Sequence, residues 1–241
     1  MEYSELTFRD IYHHPFIVSY RVEEIRTEND AVEVPADANA ALVYPYIDRT
    51  AGINLSVVAP AKLPSKEILD EYAIMQRYNC LLTLRPGGFE EFDWCSVDDL
   101  ADVKVRFSEH FSLINDAHDC GDSVEVTRQI EEIDQFRHPD YPDDVRVVLI
   151  PEAKNVKAEL VWMRLGGIDE QGLLFGELLN NPYMSCGLHA GSVMNIGLNT
   201  FEDGTSELIT KPSLVVEQCC RLATLNRMVK KDGHGYGQEV H

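Results

Sequence analysis

Apolar and polar positions change period several times along this chain, and each change marks a change of element. Phe16-Ile17-Val18-Ser19-Tyr20-Arg21-Val22 is rich in β-branched and aromatic residues and predicts a strand. Ala41-Leu42-Val43-Tyr44 and Ile53-Asn54-Leu55-Ser56-Val57-Val58, each bounded by Pro, Asp, Asn or Gly, predict two more and so a small sheet. The period then lengthens. Ser65 stands behind Pro64 as a helix N-cap, with Glu67 in the first turn and Ile68, Tyr72, Met75 and Tyr78 or Cys80 near helical spacing. Cys80 to Leu84 returns to strand character, Pro86-Gly87-Gly88 turns the chain, and Val103-Lys104-Val105-Arg106-Phe107 alternates as a strand would. Residues 1–115 read as an N-terminal α+β lobe.

Residues 116–144 are dense in carboxylates, and Val126, Ile130, Ile133 and Phe136 or Arg137 outline a helical stripe behind Ser123. His138-Pro139-Asp140-Tyr141-Pro142-Asp143-Asp144 disfavours helix and central strand alike and reads as a linker. Beyond it, Val145–Ile150, Ala158–Leu165, Leu173–Leu179 and Gly191–Leu198 predict four strands of an antiparallel meander. From Pro212-Ser213 the residues Val215, Cys219, Leu222, Leu225 and Val229 recur at three or four positions. Lys230 and Lys231 follow at the favourable C-terminal pole, so a final helix is expected to cover one face of the second sheet. The reading is an α+β fold of two lobes, each a mostly antiparallel sheet with one or two packed helices, the second lobe spanning 145–241.

Charge sharpens this picture. Against 21 Lys and Arg stand 41 Asp and Glu, a formal net charge of −20. Nucleic-acid phosphates and anionic membranes would be repelled, whereas a basic protein would be drawn in faster. The same acidity also serves simply to keep a bacterial-type cytosolic protein in solution. Met1-Glu2-Tyr3-Ser4-Glu5 is acidic where a secretion signal needs a basic start, and no run of about 18 apolar residues occurs, so a cytoplasmic protein is expected. The six cysteines have no framework spacing and are expected to be reduced. No phosphate-binding loop, dinucleotide turn, nucleophile elbow, zinc-protease helix, paired Cys-x-x-Cys or calcium loop is present, so no cofactor is expected.

Cys186-Gly187-Leu188-His189 places a thiol and an imidazole three positions apart. With His118 and Cys120, or Cys219 and Cys220, it could complete a zinc site; alone, Cys186 activated by His189 could be a hydrolytic nucleophile. An ordinary loop cysteine and a packed or solvated histidine is the plainer reading. His13-His14 would point to opposite sides of an extended chain, and Cys219 fits a core stripe. Asp93, Asp98 and Asp99 lack a calcium loop's glycine and suit a solvated turn. The acidic segment differs in kind: Glu131, Glu132, Asp134, Asp140, Asp143 and Asp144 could rim an apolar centre of Phe136 and Tyr141 and dock a basic protein, the plainer reading being a solvated acidic face.

Glu159-Leu160-Val161-Trp162, then Gly176-Glu177-Leu178-Leu179-Asn180-Asn181-Pro182, then Gly191-Ser192-Val193 resembles small bacterial domains of unknown function found among toxin-immunity proteins. The likeness covers roughly residues 150–210, with Leu160 and Ser192 where that pattern has His and often Asp. It implies a β-rich binding domain, with no catalytic residue carried over. The expected function is a non-catalytic acidic protein-binding module, an immunity-type inhibitor of a basic partner. The alternatives are a metal- or thiol-dependent hydrolase using Cys186 and His189, and an inhibitor that mimics nucleic acid with ranks of carboxylates.

Overall fold

A computed structural model describes residues 6–19, 35–69, 83–84, 93–152, 156–183 and 187–214. The chain divides into two units: residues 1–121 with 138–143, and residues 122–137 with 144–241.

In the first unit, a short helix α1 (Phe8–Ile11) leads into β1 (Phe16–Val18). Two long strands follow, β2 (Ala40–Asp48) and β3 (Gly52–Lys62), with short strands β4 (Glu67–Ile68), β5 (Thr83–Leu84) and β6 (Trp94–Ser96). They form one antiparallel sheet in the order β4-β3-β2-β1-β6, with β5 also on β3. Strand β2 is buried along nearly its whole length because both its faces are covered, which explains its unbroken apolar run. Leu42, Tyr44 and Tyr46 pack with Val103, Phe107, Phe111 and Ile114, while Ala41 and Val43 pack with Ile11, Phe16, Leu55 and Val57.

Two expected elements differ here. Val103–Phe107 is not a strand: α2 (Ala101–Arg106) and α3 (Ser108–Ala117) run through it. The alternation was real, but Val103, Phe107, Phe111 and Ile114 sit at the helical spacing of four, four and three, and that longer pattern wins because it buries all four. The helix expected from Ser65 does not begin there. Ser65 lies in a turn, and Glu67–Ile68 pairs with β3 instead; Tyr72, Met75, Tyr78 and Cys80 fall outside the described residues.

The stretch 138–143, expected as a linker, is a built part of this unit. Ile53 N–H donates to the Asp140 carbonyl at 2.8 Å, and Pro142 and Asp143 are buried. Gly52, at φ +77°, permits this approach, since a Cβ there would collide with that carbonyl.

In the second unit, strands β7 (Asp144–Leu149), β8 (Glu159–Ile168), β9 (Leu174–Leu178), β10 (Val193–Thr200) and β11 (Ser206–Thr210) close into a barrel. The consecutive pairs among β7 to β11 are antiparallel, as a meander requires. Closure comes from β11, where the sequence predicted no strand, pairing parallel with β7 through Ile209–Val148 and Thr210–Leu149. Alternate residues point inward: Val145, Val147, Leu149, Val161, Met163, Leu165, Met194, Ile196 and Leu208 form the core.

The helix expected behind Ser123 is shorter than its stripe. It breaks into α4 (Asp122–Arg128) and a 3-10 helix (Glu131–Phe136) whose Ile133 and Phe136 join the barrel core. Val126 is exposed instead. Helix α4 rests on β8 at Gly166-Gly167, where Ser123 Oγ donates to the Gly166 carbonyl at 3.0 Å. At Gly167, φ +147°, any Cβ would meet that hydroxyl.

After β11 a 3-10 turn, Pro212–Leu214, is described; Val215, Cys219, Leu222, Leu225 and Val229 of the expected final helix lie outside the described residues. The α+β, two-lobed reading stands. No helix among the described residues is long and apolar enough to cross a membrane.

One turn of the first unit can be tested directly. Asp48 Oδ1 accepts from the Thr50 amide and hydroxyl, both at 2.8 Å, and from the Ala51 amide at 2.7 Å. Burial alone would raise this carboxyl, but those bonds outweigh it and hold it below its ordinary value. A depressed native value means stabilisation that is complete above the unfolded pKa of about 3.9 and lost as pH falls through the native one. Asp48→Ala should therefore cost about 2 kcal/mol in urea unfolding at pH 7, with the gap from the parent closing in acid below about pH 4.

Candidate functional site

The expected docking residues are divided between the two units. Glu131, Glu132, Asp134, Phe136 and Asp144 belong to the second unit, and Asp140, Tyr141 and Asp143 to the first. Phe136, expected as an exposed apolar centre, is 3% exposed inside the barrel, because it and Ile133 are the large apolar side chains available there. Asp134 receives Arg137 Nε at 2.8 Å, and Asp144 holds Arg164 through two bonds of 2.7 and 3.0 Å. Asp143 is 2% exposed, and Tyr141 is half-buried, edge-on to His138. Of these eight, only Glu131, Glu132 and Asp140 are exposed. Carboxylates near a folding core are costly unless paired, so arginines claim those that the chain carries inward.

Of the other cysteine and histidine candidates for a thiol or zinc site, His118, Cys120 and His189 are described. Cys186, Cys219 and Cys220 lie outside the described residues. His189 is exposed on the loop after β9, its Nδ1 2.7 Å from the Ala190 carbonyl. A carbonyl can only accept, so Nδ1 carries the proton there and Nε2 is the acceptor of the neutral ring. His118 lies at the end of α3, its ring 4.0 Å from that of Tyr46 and its Nδ1 3.6 Å from Asp48. Half-buried Cys120 follows it. Among the described residues no group of three or more His, Cys, Asp or Glu could hold a metal ion. Of the turn carboxylates, Asp98 accepts from Ser96 Oγ at 2.7 Å and Asp99 from Lys66 Nζ at 2.8 Å. These bonds hold both carboxyls below their ordinary values.

What the fold does assemble is a face on α2 and α3. Hydrogen bonds of helical type, Phe107 N–H to Val103 and Phe111 N–H to Phe107, both 3.0 Å, carry the two helices on as nearly one rod. With Val103, Phe107, Phe111 and Ile114 turned to the sheet, the opposite arc carries Asp102, Val105, Glu109, Leu113 and Asp116, all exposed. Their spacing of three, four, four and three places them within one stripe. Val105 is 77% and Leu113 55% exposed, unusually open for aliphatic side chains.

The charges around the stripe are unequal in their commitments. Lys104 pairs with Asp98 at 3.4 Å, and the Arg106 guanidinium lies 5.1 Å from the Phe107 ring centre. Asp102, Glu109 and Asp116 have no side-chain hydrogen bond or ion pair among the described residues. The result is two aliphatic anchors separated and flanked by three uncommitted carboxylates. The sequence did carry a signal for it, the apolar spacing of the opposite side, but the local alternation of Val103 to Phe107 hid the helix and so the face.

No family model matches the chain, and no curated protein or solved structure matches it.

Removing the Phe136 ring separates the two accounts of the acidic segment. Phe136→Ala should destabilise the protein by about 3–5 kcal/mol in urea unfolding, as a core truncation does. Glu131→Gln combined with Glu132→Gln should stay within about 0.5 kcal/mol of the parent.

Proposed function

We propose that this chain is a non-catalytic acidic protein-binding module that acts in the cytosol, in the manner of an immunity-type inhibitor, on a basic partner protein. The observation that carries the reading is the α2–α3 face, where Val105 and Leu113 stand exposed among Asp102, Glu109 and Asp116. Apolar anchors with charged neighbours are how protein interfaces combine affinity with orientation. Full burial of a valine or leucine side chain contributes about 1.5–3 kcal/mol, while the carboxylates steer a cationic surface into place.

The surplus of carboxylates extends that steering beyond the face itself, since a net charge of −20 sets up a long-range field. The likeness of residues 150–210 to domains found among toxin-immunity proteins points to the same class of function. Nucleic acid and anionic membrane are disfavoured as partners by the same field.

Comparative capture from the source cell's lysate tests this. The parent chain is expected to retain a basic protein at low salt and release it at high salt. Asp102→Asn, Glu109→Gln and Asp116→Asn together should slow its association and flatten the salt dependence, and Val105→Ser with Leu113→Ser should speed its release. A partner bound equally by the parent and both variants would remove this face from the interface.

A further inference from the structure

The outer wall of the barrel carries an apolar row that the strand register traces residue by residue. Ile209 on β11 lies opposite Val148 on β7, and Val148 lies opposite Leu160 on β8. Trp162 follows Leu160 on the same outward side, and the Leu179 amide donates to the Trp162 carbonyl at 2.9 Å. Leu160 is 59% and Trp162 37% exposed, while Val148, Leu179 and Ile209 are half-buried. Tryptophan amid aliphatic side chains is the composition of an interface centre, on a kind of surface that is ordinarily polar.

The outward charges of β7, β8 and β9 balance, in a chain whose net charge is −20. Arg146 on β7 lies opposite Trp162, and Arg164 on β8 lies between Asp144 on β7 and Glu177 on β9. Arg164 is committed to Asp144 through two bonds of 2.7 and 3.0 Å. That leaves one cation, Arg146, and one anion, Glu177, both exposed and without a side-chain hydrogen bond or ion pair among the described residues. They stand on the strands to either side of β8, and so on either side of the Leu160–Trp162 row.

We infer that this wall is the interface of a twofold dimer of the chain, with Trp162 at its centre. A half-turn about an axis lying in the interface and running along β8 lays the second copy's β9 over the first copy's β7. Arg146 of each copy then faces Glu177 of the other. The two are offset by the two residues that separate Trp162 from Arg164, about 7 Å along the strand, a gap that these long side chains bridge. One operation thus turns two unpaired charges into two ion pairs and sets the apolar row against its own copy. A purely basic partner would leave Arg146 unpaired at this wall, and a purely acidic one Glu177, whereas a second copy brings both signs in the required places. The net charge makes two copies repel at long range, but salt at physiological strength screens charges beyond about 8 Å, so the contacts of the balanced wall decide. The inference is independent of the α2–α3 face, which lies in the other unit.

Sedimentation velocity of the full-length chain across a concentration series, at constant physiological salt, tests this. The parent should pass from monomer to dimer as its concentration rises. Arg146→Glu and Glu177→Arg should each weaken the dimer about tenfold or more, because each sets like charges face to face at two symmetric places. Both positions are exposed, so folding is spared. Glu177→Arg also lowers the net negative charge, which would strengthen any association limited by general repulsion, so a weaker dimer isolates the local pair. Mixed in equal amounts, the two variants should dimerise again, since each then supplies the charge that the other lacks. A parent that stays monomeric throughout, a dimer that both variants keep, or variants that stay apart on mixing would overturn the inference.

Discussion

Placing nearly twice as many carboxylates as cations in one folded chain is the constraint on which this structure turns. Like charges repel, and a buried carboxylate without a partner costs several kcal/mol. Each unit meets the cost with specific bonds. Asp48 is consumed by the amides and hydroxyl of its own turn, Asp98 and Asp99 by Ser96 and Lys66, and Asp134 and Asp144 by Arg137 and Arg164. Among the described residues, Arg137 and Arg164 meet acids that approach the barrel core, while Lys62, Lys66 and Lys104 pair with exposed ones. On α2–α3, carboxylates left without a side-chain partner meet two exposed aliphatic side chains.

The barrel shows the complementary, apolar side of the same arrangement. Its inward residues alternate faithfully, and the parallel pairing of β11 with β7 removes the free edges that an open meander would expose. Phe136 and Ile133, which looked like part of an acidic surface helix, are taken into that core. Segments 122–137 and 138–143 are adjacent in sequence yet belong to different units, so a single stretch of acidic chain serves two structures.

Much of the strand inventory was legible. Residues 40–48, 52–62, 144–149, 159–168 and 174–178 carry β-branched, alternating or continuous apolar patterns, and such patterns depend only on the side chains of one segment. The candidate site was not legible in the same way. Val103–Phe107 satisfies a strand's alternation and a helix's spacing at once, and the choice between them rests on Leu42, Tyr44 and Tyr46, sixty residues earlier, which offer a surface for a helix.

By itself, then, the sequence determined the acidity, the α+β class, the two lobes and most strands, because these follow from composition and from periodicity within short windows. Only the tertiary structure decided which carboxylates are paired, which are left in solvent, that the meander closes, and that Asp102, Glu109 and Asp116 share an exposed helical face with Val105 and Leu113. The reason is physical: pairing, closure and burial are set by contacts between residues distant in the chain, and no local pattern encodes which distant arginine or strand will arrive.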